Sequence, residues 1–180
     1  MEITVVRAAT VADVDLILEL IRALAVFEGL ADQVEATRER LMRTLFGPGP
    51  AAEVLLALEG DLPVGFAVHY PTFSTFLGKP GLHLEDLYVR PEHRGRGHGR
   101  AMLRHLAMLA VQRGCGRLEW TVLDWNETAL GFYRSLGSDV LPDWRLCRLA
   151  GGALDRLASG LGPTRPTGPP KTGDQGARNG

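Results

Sequence analysis

The residue types most able to do chemistry fall in one stretch, Leu84-Glu85-Asp86-Leu87-Tyr88-Val89-Arg90-Pro91-Glu92-His93-Arg94-Gly95-Arg96-Gly97-His98-Gly99-Arg100. An apolar strand runs into a turn at Arg90-Pro91, then a glycine-dense loop, then an amphipathic helix. Glycines let backbone N–H groups approach a ligand closely. A helix start adds unpaired N–H donors and the positive end of the macrodipole. Together they form a phosphate cradle. The Gly-x-x-x-x-Gly-Lys-Ser/Thr loop of ATP sites is absent. Gly95-x-Gly97-x-Gly99 is one residue short of the dinucleotide fingerprint, and no βαβ unit with a following acid surrounds it. Upstream, pleating places Glu85 on the face of Leu87. His83 and Glu85 also alternate on that strand, but His93, His98 and His105 show no ligand spacing, so no metal is expected.

The elements that must hold these residues alternate along the chain. A short strand spans Ile3 to Ala8. Thr10-Val11-Ala12-Asp13 is a capping-box-like start, followed by Val14, Ile17, Leu18, Ile21, Leu24 and Ala25 at helical spacing. A second helix covers Glu35 to Leu45, ended by Gly47-Pro48-Gly49-Pro50. Strands 53–59 and 63–73 flank the hairpin signal Gly60-Asp61. The strand Leu82 to Val89, a helix from Gly97 to Arg113, a strand from Leu118 to Leu123 and a helix from Glu127 to Leu136 come next. Gly137 stops that helix, Trp144–Leu149 reads as a final strand, and Leu154 to Ala158 as one last turn. This order implies an α/β (α+β) domain with a mixed sheet and helices on its faces.

Of 180 residues, 45% are apolar and 23% charged, and the net charge is −1. That balance lacks the basic excess of nucleic-acid binders, so no nucleic-acid partner is expected. No apolar run approaches the roughly 20 residues of a membrane span, and the first residues lack the layout of a signal peptide. A cytoplasmic protein without a membrane partner is the expectation. Cys115 and Cys147 fit no metal or redox spacing. From Ser159 onward, six Gly and four Pro in 22 residues read as a disordered tail, 159–180, leaving residues 1–158 as the domain with a charge of −3.

Arg94-x-x-Gly97-x-Gly99 resembles the pyrophosphate loop of the GNAT acetyltransferases, which bind acetyl-CoA. Asn126 opens a helix bearing Tyr133 two turns later, like the family's asparagine and tyrosine pair. Arg7-x-Ala9-Thr10 resembles its first strand–helix junction. Leu24-Ala25-Val26-Phe27-Glu28, Leu84 to Val89, Asp124-Trp125-Asn126-Glu127, Gly131-Phe132-Tyr133 and Asp143-Trp144-Arg145-Leu146 are similar to the spermidine/spermine (diamine or thialysine) N-acetyltransferase branch. The similarity covers residues 3 to 158. It implies the GNAT fold, with a mostly antiparallel mixed sheet and helices on both faces. It also implies acetyl-CoA as acyl donor, a small cationic amine as acceptor, and a homodimer.

The resemblance assigns roles residue by residue. Arg94, Gly95, Arg96, Gly97, His98, Gly99 and Arg100 would hold the pyrophosphate. Leu87, Tyr88 and Val89 would bind the pantetheine through backbone groups, with the Leu87 N–H on the thioester oxygen. Asn126, Glu127, Thr128 and Ala129 would add cofactor contacts at a helix start. Alkylammonium pKa values lie near 10, so only about one amine in a thousand is neutral at pH 7. Glu85 matches the family's base for that proton. The alternatives are that Glu85 only binds the cation, or that Asp86 is the outward, solvated partner of the pair. Tyr133 would protonate the departing thiolate, although Ala129, Phe132, Tyr133 and Leu136 at i, i+3, i+4, i+7 also suit a core aromatic. Phe27 and Glu28 match substrate-contacting positions. Phe27 stands where polyamine enzymes often carry a tyrosine, which favours short diamines or lysine-like acceptors. A protein acetyltransferase and a non-catalytic acetyl-CoA-binding module are the rival readings.

Overall fold

Strands Thr4–Ala8 (β1), Glu53–Glu59 (β2), Leu62–Ser74 (β3), Lys79–Val89 (β4) and Leu118–Trp120 (β5) form one sheet in chain order. The computed structural model describes residues 4–162, and the chain divides into two compact units, Met1–Leu130 and Gly131–Gly180. In the first unit, β1 to β4 pair antiparallel and β4 with β5 parallel. Between β4 and β5 runs the helix His98–Gln112 (α3), the kind of crossover that a parallel pair requires. Gly60 (φ 59°) makes the tight β2–β3 turn, where a left-handed residue is needed.

In β2, Val54, Leu55, Leu56 and Ala57 are all buried. Successive side chains of a strand point to opposite faces, so both faces of this sheet are covered. Helices Val14–Glu28 (α1) and Arg38–Phe46 (α2) pack on one face. There Val14, Ile17, Leu18, Leu20 and Leu41 meet Val54, Leu56, Phe66 and Tyr88. The opposite face takes α3, through Met102, Leu103, Leu106 and Ala110. The expected α/β architecture, a mostly antiparallel mixed sheet with helices on both faces, is observed.

Local chemistry sets the element ends. Arg7 makes a bidentate pair with Asp13 (2.8 Å and 2.8 Å), whose carboxylate also accepts the Thr10 N–H at 2.7 Å. These contacts hold the Asp13 carboxyl well below the usual carboxylate range, the Arg7 hydrogen bonds contributing most. They fix the entry of α1. α2 begins at Arg38 rather than Glu35 because Thr37 is its cap, accepting the Arg40 N–H at 3.2 Å.

Two strand expectations are corrected. β5 stops at Trp120, not Leu123, and pairs only with Leu82–Leu84. The reason lies in β4. Val68 faces Asp86 while His69 faces Leu84, so Glu85 is one extra residue. Such a bulge bends its strand, and β5 does not follow past it. Trp144–Leu149, expected as a strand, has no regular structure, and Trp144 is 78% exposed. Alternation alone makes no strand; the backbone needs a ladder partner.

The helix Glu127–Arg134 (α4) ends two residues short of Leu136, with Gly137 at φ 83° after it. In the second unit, Gly152–Ala158 (α5) is a short exposed helix where one turn was expected. The glycine- and proline-rich segment lies, from residue 163 on, outside the described residues.

Candidate active site

The bulge decides which carboxylate faces inward. Glu85 was expected on the face of Leu87, but that reading requires unbroken pleating. The Glu85 side chain is 53% exposed and lies 4.0 Å from His83. Nearby, the Tyr70 phenol is pushed up by burial and then by the Glu85 charge. Asp86, which sequence reasoning left as the outward, solvated partner, is instead mostly buried. Burial first, then the charges of Glu85 and Glu28, push its carboxyl up to about 6. No sequence signal marks this exchange, because the extra residue is visible only against the partner strand.

Asp86 and Glu28 line one open concavity of about 210 Å³, walled by Ile21, Leu24, Ala25, Leu30 and Val34. Glu28 ends α1, and burial pushes its carboxyl up as well. Two partly desolvated carboxylates among aliphatic side chains favour an entering cation, which relieves both their repulsion and their lost hydration. Phe27, expected beside the substrate, stacks under Arg94, whose guanidinium carbon is 4.4 Å from the ring centroid.

Beyond Leu84, β4 has β3 on one side and no described strand on the other. The edge from Glu85 to Val89 therefore presents backbone donors and acceptors to a ligand. The Tyr88 side chain is buried in the core, edge-on to Phe66, which leaves only its backbone for such a contact.

Past the short helical turn Pro91–His93, Gly95 (φ 76°) and Gly97 (φ 93°) adopt left-handed conformations, and Gly97 caps α3. A Cβ at either glycine would meet nothing within 4 Å, so conformation rather than crowding demands glycine there. The α3 N-terminus thus opens on a loop of exposed backbone. Arg94 donates from Nε to the Val89 carbonyl (3.0 Å), and Arg96 is held by Glu59 (2.9 Å) and by the Glu92 carbonyl (3.1 Å). Gly99 and Arg100 form the first turn of the helix. His98 was assigned to cofactor binding, but its side chain is buried and turned to Thr4 Oγ1 at 2.9 Å. Only its backbone can serve a phosphate.

At the start of α4, Asn126 Oδ1 accepts the Ala129 N–H at 3.1 Å, the capping role its residue type predicts. Glu127 and Thr128 complete that first turn. In the second unit, the Tyr133 ring lies 5.4 Å from that of Phe132, and burial pushes its phenol above the ordinary value.

A sheet splayed after a bulge, beside a glycine loop that opens a helix, defines the class. The chain belongs to the Acetyltransferase (GNAT) family, which it matches over residues 21–137, and it is an acetyltransferase. It is similar to the thialysine N-epsilon-acetyltransferase of Bos taurus, 38% identical over 169 residues, covering 88% of this chain and 99% of the relative. It is also similar to L-ornithine N5-acetyltransferase NATA1 of Arabidopsis thaliana, 33% identical over 84% of this chain and 86% of that one. Among solved structures, an integron cassette protein from the mobile metagenome of V. cholerae superimposes with a TM-score of 0.73 at 27% identity, over 88% and 98% of the two chains. The resemblance to the diamine or thialysine branch is borne out. No helix among the described residues is long and apolar enough to cross a membrane.

Proposed function

We propose that the protein moves the acetyl group of acetyl-CoA to the primary amine of a small dication, by direct attack within a ternary complex. The observation that carries this reading is the Asp86–Glu28 pair in one small aliphatic concavity. The names of the thialysine and ornithine relatives support an acceptor with an amino group at the end of an alkyl chain. The Arg94–Arg100 loop holds the pyrophosphate, and the Asn126–Ala129 turn adds cofactor contacts. The free edge of β4 holds the pantetheine, with the Leu87 N–H on the thioester oxygen. The ammonium docks between Glu28 and Asp86 and gives its proton to the Asp86 carboxylate. The neutral nitrogen attacks the carbonyl carbon, the C–S bond breaks, and Tyr133 protonates the coenzyme A sulfur. The unpaired Cys115 and Cys147, ordinary in a reducing compartment, support a cytoplasmic location. Exposed Trp144, Leu146 and Leu149 support a homodimer.

The acceptor reading is tested with matched amines such as 1,5-diaminopentane and pentylamine, by release of coenzyme A thiol. The dication should show a kcat/KM at least about tenfold higher, or ~1.4 kcal/mol of discrimination. Glu28→Gln should shrink that ratio mainly through KM. Equal rates, or reaction with peptide amines only, would replace this reading with a protein acetyltransferase.

The donor reading rests on the loop. Gly97→Asp places a side chain at φ 93° and a negative charge at a helix start that favours anions. Calorimetry should show acetyl-CoA affinity falling at least about 100-fold, the equivalent of ~2.7 kcal/mol, in a protein that stays folded. Unchanged affinity would remove the loop from the cofactor site.

A further inference from the structure

One cluster of ligand-bearing side chains lies apart from the Glu28–Asp86 concavity. Glu59 ends β2, His93 ends the turn after β4, and His98 opens α3. One carboxylate oxygen and one nitrogen of each imidazole lie within 4.8 Å of one another. Glu59 Oε2 stands 2.5 Å from His93 Nδ1 and 3.7 Å from His98 Nε2. The second distance is too long for a hydrogen bond. His98, its side chain 2% exposed, therefore leaves Nε2 buried without a partner, aimed at Glu59. A buried imidazole nitrogen in that state needs an explanation.

We propose that Glu59, His93 and His98 bind one divalent ion of the zinc class, through Glu59 Oε2, His93 Nδ1 and His98 Nε2, with water as fourth ligand. Ligand atoms at about 2.0–2.1 Å from a tetrahedral zinc stand roughly 3.4 Å apart; the Glu59–His98 separation of 3.7 Å is close to that, and the ion would replace the Glu59–His93 hydrogen bond of 2.5 Å and open that pair. The contacts of His98 suit a metal ligand. His98 Nδ1 lies 2.9 Å from Thr4 Oγ1, which fixes the ring and leaves Nε2 to ligate. Arg96 Nη1 donates to both Glu59 oxygens, Oε1 at 2.9 Å and Oε2 at 3.1 Å, so an ion on Oε2 would displace the longer contact and leave Arg96 on Oε1. Two imidazoles with one carboxylate suit zinc or cobalt, whereas Mg²⁺ and Ca²⁺ prefer oxygen ligands throughout. The spacing of His93 and His98 does not announce the site, because its third member comes from the β2–β3 hairpin. His93 and His98 flank the Arg94–Gly97 loop, so the ion would tie both ends of that loop to the end of β2.

The test uses the full chain, stripped with chelator and titrated calorimetrically with Zn²⁺ alone. The expected result is one ion per chain with micromolar or tighter affinity, no comparable uptake of Mg²⁺, and the visible bands of tetrahedral Co²⁺ when cobalt replaces zinc. Loss of an outer-shell partner alone costs roughly 10–100-fold in affinity. Thr4→Val should fall in that range, and His93→Gln and His98→Gln should lose more, with folding checked by circular dichroism. No zinc uptake by the wild type, equal uptake of Mg²⁺, or wild-type affinity in folded His93→Gln and His98→Gln would overturn the proposal. If those variants do not fold, the wild-type cobalt spectrum decides: thiolate charge-transfer bands would place the ion on a cysteine and overturn the site.

Discussion

Tyr133→Phe should lower kcat by about 10² to 10⁴-fold, the usual contribution of a positioned proton donor. Acetyl-CoA affinity should stay within about twofold, because the hydroxyl matters only as the thiolate leaves. Phenylalanine keeps the ring that packs 5.4 Å from Phe132, so the melting temperature should hold. A phenol is protonated throughout the neutral range, and burial pushes the Tyr133 pKa further up. A donor must hold its proton until the sulfur departs, and an upward shift is consistent with that role. Thiol release under saturating substrates measures kcat, and calorimetry measures donor affinity. An undiminished kcat would return Tyr133 to the role of a core aromatic.

Asp86→Asn should cost kcat/KM a comparable 10² to 10⁴-fold while making the protein more stable at neutral pH. Deprotonated Asp86 is the form that can take a proton, so wild-type kcat/KM should rise with pH through about 6, where its carboxyl titrates. Below pH 4 the group is neutral in both folded and unfolded chains and has no effect on stability. As pH rises through 4 to 6, the unfolded chain releases this proton first, and the fold loses stability relative to it. Above pH 6 the cost is complete. A rise from 3.8 to about 6 corresponds to up to about 3 kcal/mol. Asparagine removes that cost, so the gain in melting temperature should appear at pH 7.5 and fade toward pH 4. Glu85→Gln removes a charge that raises the Asp86 pKa, and should move the acid limb of kcat/KM to lower pH. A Glu85→Gln enzyme that loses its activity with the acid limb unmoved would make Glu85 itself the base.

Much of this protein was legible in its residues because the relevant physics is local. The Arg94–Arg100 loop required left-handed glycines before a helix, and Gly95 and Gly97 adopt that conformation. Asn126 capped a helix because its side chain bonds a backbone N–H three residues on. The Gly60-Asp61 turn, the helical spacing of α1 and the apolar runs of β2 to β4 each followed from a period within one segment. What escaped depended on a second segment. Whether Glu85 or Asp86 faces inward turned on the register of β4 against β3, since one extra residue breaks the alternation that sequence reading relies on. Trp144–Leu149 had the pattern of a strand without a described partner to pair with. His98 looked like a loop residue facing phosphate, yet its side chain points to Thr4 and Glu59, 94 and 39 residues away along the chain. The sequence alone determined the left-handed glycines and the helix start of the Arg94–Arg100 loop. Only the tertiary structure decided which carboxylate shares a concavity with Glu28, because strand register and hairpin packing bring together residues that no local period connects.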